Sequence, residues 1–98
     1  MADYYIYAVH QEKDVIETVK ICISYNEATG PENKSLKTRQ NVISDIDESK
    51  KSIFTLYKES QVWKLGEMVK VKEISGEKYI KTKANGKRCD NLDNIEQY

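Results

Sequence analysis

Two runs of β-branched and aromatic residues open the chain, Tyr4 to His10 and Val15 to Ser24, with only Gln11-Glu12-Lys13-Asp14 between them. A polar loop this short between two such runs predicts an antiparallel hairpin. A hairpin at the start commits the remaining chain to building on a sheet. In the second run Val15, Val19, Ile21 and Ile23 share one strand face, while Ile16, Thr18, Lys20, Cys22 and Ser24 share the other, and Glu17 breaks the apolar set. The first run is apolar on both faces, Tyr4, Ile6 and Ala8 against Tyr5, Tyr7 and Val9, which predicts a central strand or one covered by a partner.

The segment from Asn26 to Lys37 carries Gly30, Pro31 and small polar residues without an apolar period, and reads as a mobile loop. Thr38 follows as a helix N-cap, and Val42, Ile43 and Ile46 recur at helical spacing, predicting a short helix to about Lys50 with a narrow buried stripe. Ile53 to Tyr57, Glu67 to Ile74 and Lys78 to Ala84 read as strands, the last two joined by Ser75-Gly76-Glu77. Asn85-Gly86 is a hairpin signal, since both positions tolerate positive φ, and it predicts a final strand from Lys87 to Asn91. The expected fold is α+β, a single domain over residues 1–98 with the order β-β-α-β-β-β(-β), an antiparallel sheet and one helix packed on it.

A chain of 98 residues has room for one hydrophobic core, and the 39% apolar and 33% charged residues describe a thin core under a charged surface. Such cores gain from oligomerisation, so a homo-oligomer is expected. No run approaches the roughly 20 apolar residues of a membrane helix and no signal peptide opens the chain, so a cytoplasmic protein without membrane contact is expected. Cys22 and Cys89 then read as free thiols, and the sequon at Asn33 as silent. Among the basic residues only Arg39 and Arg88 are arginine, and Lys, Asn, Ile and Tyr abound, which fits an AT-rich bacterium or its phage.

Catalytic schemes lack parts. Nucleophilic catalysis needs a base beside the nucleophile, and His10 is the one histidine. His10, Cys22 and Cys89 have no metal-site spacing, and Gly30, Gly66, Gly76 and Gly86 stand singly, so neither a metal centre nor a phosphate loop is assembled. Asp90, Asn91, Asp93 and Asn94 read as a self-bonded turn. The expectation is a protein that is not an enzyme and needs no cofactor.

Two surpluses remain. Residues 51–88 are rich in lysine and poor in acid, whereas both flanks are acidic. Lys70, Lys72, Lys81, Lys83 and Arg88, interleaved with Tyr57, Trp63 and Tyr79, suit a phosphate-bearing ligand: cations for phosphate, rings for stacking. The bland alternative is a solvated lysine-rich face, and a net charge of zero argues against a general nucleic-acid binder. Tyrosine is the second surplus, with seven residues, and Tyr5 and Tyr7 on one face of the first run mark a candidate interface.

Several stretches in order carry a resemblance: Tyr4-Tyr5-Ile6 with Ala8-Val9, Thr38-Arg39-Gln40 with Val42-Ile43 and Ile46, Phe54-Thr55, Glu77-Lys78-Tyr79-Ile80-Lys81-Thr82, and Asp90-Asn91-Leu92 with Asn94-Ile95. Together they resemble a family of short bacterial and phage proteins known as a domain of unknown function, over nearly the whole chain. The stretch from Asn26 to Lys37 is longer and more polar than that pattern. The resemblance implies no activity. By analogy of size and origin it fits a binding protein that sequesters a nucleotide signal or caps a host protein, as in phage counter-defence. A nucleic-acid-binding module using residues 58–88 is the alternative.

Overall fold

A computed structural model of the protein describes residues 2–12, 15–82 and 95–98. Among these residues eight strands and one helix follow in the order β1 (Tyr4–Glu12), β2 (Val15–Asn26), β3 (Gly30–Thr38), α1 (Arg39–Asp47), β4 (Ile53–Glu59), β5 (Val62–Met68), β6 (Lys70–Ile74), β7 (Glu77–Lys81) and β8 (Glu96–Gln97). The main sheet runs β3-β2-β1-β4-β5 with β8 also on β1, and β6 and β7 form a separate ribbon. The α+β reading holds, with β1 central as its two apolar faces require. The expected antiparallel sheet is instead mixed, because β4 and β8 both run parallel to β1. The helix explains β4: α1 forms the crossover that a parallel strand needs.

The opening hairpin forms, but two bulges rearrange its faces. Ile6 pairs with Ile21 and Ala8 with Lys20, leaving Tyr7 as an extra residue in β1; His10 pairs with Thr18 and Gln11 with Ile16, leaving Glu17 extra in β2. Each extra residue exchanges inside for outside beyond it. Tyr4, Ile6 and Val9 therefore face the core together, and Ile16 joins Val19 and Ile21 there in place of the expected Val15. Glu17, which broke the apolar set in the sequence, is the residue that the second bulge expels.

The loop expected from Asn26 to Lys37 is mostly strand: Gly30 to Thr38 pair with β2 along its length. Both faces of this edge strand meet water, so side-chain periodicity is absent while the backbone ladder persists. Pro31 and its charged neighbours suit an edge that must not recruit other strands.

The helix begins as expected, with the Thr38 hydroxyl accepting from the Asn41 N–H at 3.2 Å, and ends at Asp47. It buries Val42 and Ile43, and the Tyr4 hydroxyl donates to Asp45 from the sheet at 2.7 Å. The strand expected from Glu67 to Ile74 is two strands that part at Val69, whose N–H donates to the Ile53 carbonyl at 2.8 Å. β5 turns back on β4 through Ser60-Gln61, both at positive φ (52° and 65°) without a glycine or asparagine to announce it. The ribbon β6–β7 and α1 lie against one another, and Val69, Ile80, Val42 and Ile43 close the same core. The Asn85-Gly86 turn, the strand from Lys87 to Asn91, Cys89 and the Asp90 to Asn94 cluster lie outside the described residues.

Candidate functional site

The edge of β1 changes partner partway along. β4 pairs with Tyr4 to Ile6, and β8 pairs with Ala8 and Val9. Tyr7 lies between the two pairings and is also the bulged residue. A bulge redirects its side chain, and departure of one neighbour before the next arrives opens the sheet at this point. A cleft of about 330 Å³ results, lined by Tyr7, Tyr57, Lys58, Trp63, Ile95 and Glu96.

Trp63 is brought in by the β4–β5 hairpin and fixed at its far side by the β2–β3 turn. Its backbone N–H donates to the Glu27 carbonyl at 2.9 Å. Gly30, at φ +97°, leaves room for the indole: a Cβ there would stand 2.7 Å from Trp63 Nε1. The Trp63 ring meets Tyr7 edge-on at 6.3 Å between centroids, and Tyr25 meets Tyr5 in the same manner at 5.1 Å. Burial, followed by the neighbouring Cys22, Tyr98 and Glu96, raises the Tyr7 hydroxyl above its ordinary range, so it stays protonated and able to donate.

Tyr98 secures β8. Its N–H donates to the Val9 carbonyl at 2.9 Å, its carbonyl oxygen lies 2.6 Å from His10 Nδ1, and its hydroxyl lies 2.6 Å from Thr18 Oγ1. The Lys20 ammonium stands 4.5 Å from the centroid of the Tyr98 ring. His10 thus holds the tail, and its Nε2 is 3.7 Å from Glu12 on the exposed surface. A second, smaller pocket of about 210 Å³ adjoins the cleft at Tyr7, lined also by Lys20, Lys34, Ser35 and Leu36.

Of the residues expected to bind a ligand, Tyr57 and Trp63 meet in the cleft. Lys70 and Lys72 are exposed on β6 and line neither pocket. Tyr79 and Lys81, also expected to bind a ligand, do not stand on the surface. Tyr79 is buried beneath the Arg39 guanidinium, 5.6 Å from its ring centroid, and Lys81 is 1% exposed, because the ribbon packs its second strand inward against the core. Lys83 and Arg88 lie outside the described residues. Tyr5 and Tyr7, expected at an interface, are half-buried against Tyr25 and Trp63 of the same chain. Sequence reasoning left Lys20, Lys34, Ile95 and Glu96 out of the site, since only long-range pairing assembles them.

No described helix is long and apolar enough to cross a membrane. No curated protein and no solved structure matches the chain. Residues 5–96 match the family described as "Protein of unknown function (DUF3892)". The bulge of β1, α1 and β4 fall within that span, and so do Tyr7, Tyr57, Lys58, Trp63, Ile95 and Glu96. That match over nearly the whole chain is to a family of unknown function, as the resemblance implied: this chain is a member of the DUF3892 family.

Proposed function

We propose that the protein is a non-enzymatic binding protein whose ligand is a small molecule joining a flat ring to phosphate, of the nucleotide class. The cleft over Tyr7 carries this reading: Tyr7, Tyr57 and Trp63 surround a space of about 330 Å³ with the Lys58 cation at its wall. That volume falls in the range of small-molecule sites. Rings provide stacking area that tolerates any base, and a lysine adds a point charge for phosphate. The residues expected for a longer nucleic-acid groove are dispersed, with Tyr79 and Lys81 buried, which gives that alternative less support.

Trp63 is the one tryptophan in the sequence, so its fluorescence reports on the cleft directly. Titration with nucleosides and nucleoside monophosphates is expected to quench it saturably and to raise the melting temperature. Tyr57→Ala is expected to weaken binding by about 1–3 kcal/mol through the lost stacking. A panel that changes neither signal removes this reading.

Assembly into a homo-oligomer belongs to the same proposal. Leu65 and Met68 are exposed on β5, the terminal strand of the main sheet, and a second copy is the occupant proposed for them. Light scattering is expected to give a multiple of the chain mass. A monomer mass at high protein concentration counts against it.

A further inference from the structure

We infer that the ligand extends across the Tyr7 ring and places two or more phosphates on Lys20 and Lys34. The inference rests on the reading of the cleft as the ring-binding site, and adds which class of nucleotide it takes.

The pairing of β2 with β3 sets Lys20 opposite Leu36 and Cys22 opposite Lys34, so the two lysines are diagonal neighbours on one face. Tyr5 pairs with Cys22 in the next strand and belongs to that face as well. Diagonal neighbours in a sheet stand about 7–8 Å apart, close enough for two cations to repel and to share one polyanion. The pocket between them, about 210 Å³, has Tyr7, Ser35 and Leu36 as its other described lining residues, with no carboxylate among them.

Four lysines elsewhere have acidic partners. Lys37 and Lys51 meet Asp45, Lys64 meets Glu59 and Lys78 meets Asp47. Among the described residues neither Lys20 nor Lys34 is in an ion pair. Lys20 is held instead over the Tyr98 ring, 4.5 Å from its centroid, which orients the ammonium before any ligand arrives.

The cleft has the opposite balance. Among its described lining residues Lys58 is the one cation and is accompanied by Glu96, so those residues carry no surplus positive charge. A phosphate confined there meets the Glu96 carboxylate as well as Lys58. On the far side of Tyr7 it meets two lysines and no acid. Charge therefore orients the ligand: the ring lies among Tyr57, Trp63 and Glu96, where the carboxylate accepts from a ring N–H or amino group, and the phosphates extend over Tyr7. Two lysines match a diphosphate or triphosphate better than a monophosphate.

Trp63 fluorescence of the full chain, titrated with adenosine and guanosine mono-, di- and triphosphates, tests this. The di- and triphosphates are expected to bind about tenfold more tightly than the monophosphates, as two partly exposed ion pairs allow. Lys20→Ala/Lys34→Ala is expected to abolish that gain, and inorganic triphosphate to compete with the nucleoside di- and triphosphates. Both lysines are on the surface, and circular dichroism verifies that the variant folds. Equal affinity for mono- and triphosphates, or a gain that persists in the double variant, overturns the inference and leaves the ring-binding cleft standing. No response to any nucleotide overturns both.

Discussion

Asp45 ties the helix to the sheet through three side chains. It accepts from the Tyr4 hydroxyl at 2.7 Å and from Lys37 at 2.8 Å, with Lys51 at 3.9 Å. Burial raises its carboxyl, but the Lys37 and Tyr4 hydrogen bonds and the charges of Lys37 and Lys51 outweigh that and hold it below the usual carboxylate range. A depressed carboxyl stabilises the fold above its unfolded value of about 3.9, and that contribution is lost as pH falls through the folded value. Asp45→Asn is expected to cost about 1–3 kcal/mol in urea unfolding at neutral pH. The variant is also expected to lose less stability than the parent between about pH 6 and pH 3. Cys22 is fully buried, and burial pushes its thiol up to about 11 although the Glu32 backbone and Lys34 act to lower it. In a Cys89→Ser background, a thiol reagent at about pH 8 is expected to label Cys22 only as fast as the protein opens. Rapid labelling without denaturant contradicts that placement. At this scale the sequence was informative about caps and helix spacing, as Thr38, Val42 and Ile43 demonstrate, because those depend on neighbours within a few residues.

The elements illustrate what local pattern conveys and what it omits. β1, β2 and α1 carry periodic apolar residues and were legible. β3 was not, because an edge strand with two wet faces keeps only its backbone ladder, and β5 was not, because Ser60-Gln61 make a tight turn without the usual residues. Bulges hid the faces: alternation assigns Val15 to the core until Glu17 is removed from the count. A third irregularity lies between β4 and β5, where Phe54 pairs with Met68 and Leu56 with Leu65. There Thr55 accepts the Glu67 N–H at 3.0 Å, and Gly66 passes so near that a Cβ would stand 2.1 Å from Thr55 Oγ1. Gly66→Ala is expected to destabilise the protein by about 1–3 kcal/mol in urea unfolding. Gly30→Ala acts elsewhere: its Cβ displaces the Trp63 indole and its φ of +97° strains a side-chain-bearing residue. A shifted Trp63 emission maximum is expected to accompany its loss of stability, and an unchanged spectrum contradicts the contact.

Over the whole molecule, the site depends on contacts between distant segments. Tyr57 and Trp63 were legible as ring candidates, whereas Glu96 was not, since nothing near it marks a strand that pairs with Ala8. Lysine density in residues 58–88 marks a ribbon whose second strand is buried from Tyr79 to Lys81, while Lys20 on β2 and Lys34 on β3 line the pocket that adjoins the cleft. Removing residues 95–98 takes away one wall of the cleft, the Tyr98 contacts and the packing of Ile95 at the margin of the core, and leaves the cluster of Tyr4, Ile6, Val19, Ile21, Val42 and Ile43 in place. The truncated chain is expected to keep its circular dichroism spectrum and lose nucleotide-induced quenching of Trp63. Retained quenching places the ligand elsewhere.

The parallel pairing of β8 with β1 has a consequence for synthesis. The opening hairpin and α1 are built from segments adjacent in sequence and can form while later residues are still being translated. The wall supplied by Ile95 and Glu96 cannot. A ribosome-bound nascent chain that has not yet exposed Ile95 and Glu96 has its rings and no finished cleft. On the proposed reading of the cleft, ligand capture begins only when the segment containing Tyr98 has cleared the exit tunnel and added itself to β1.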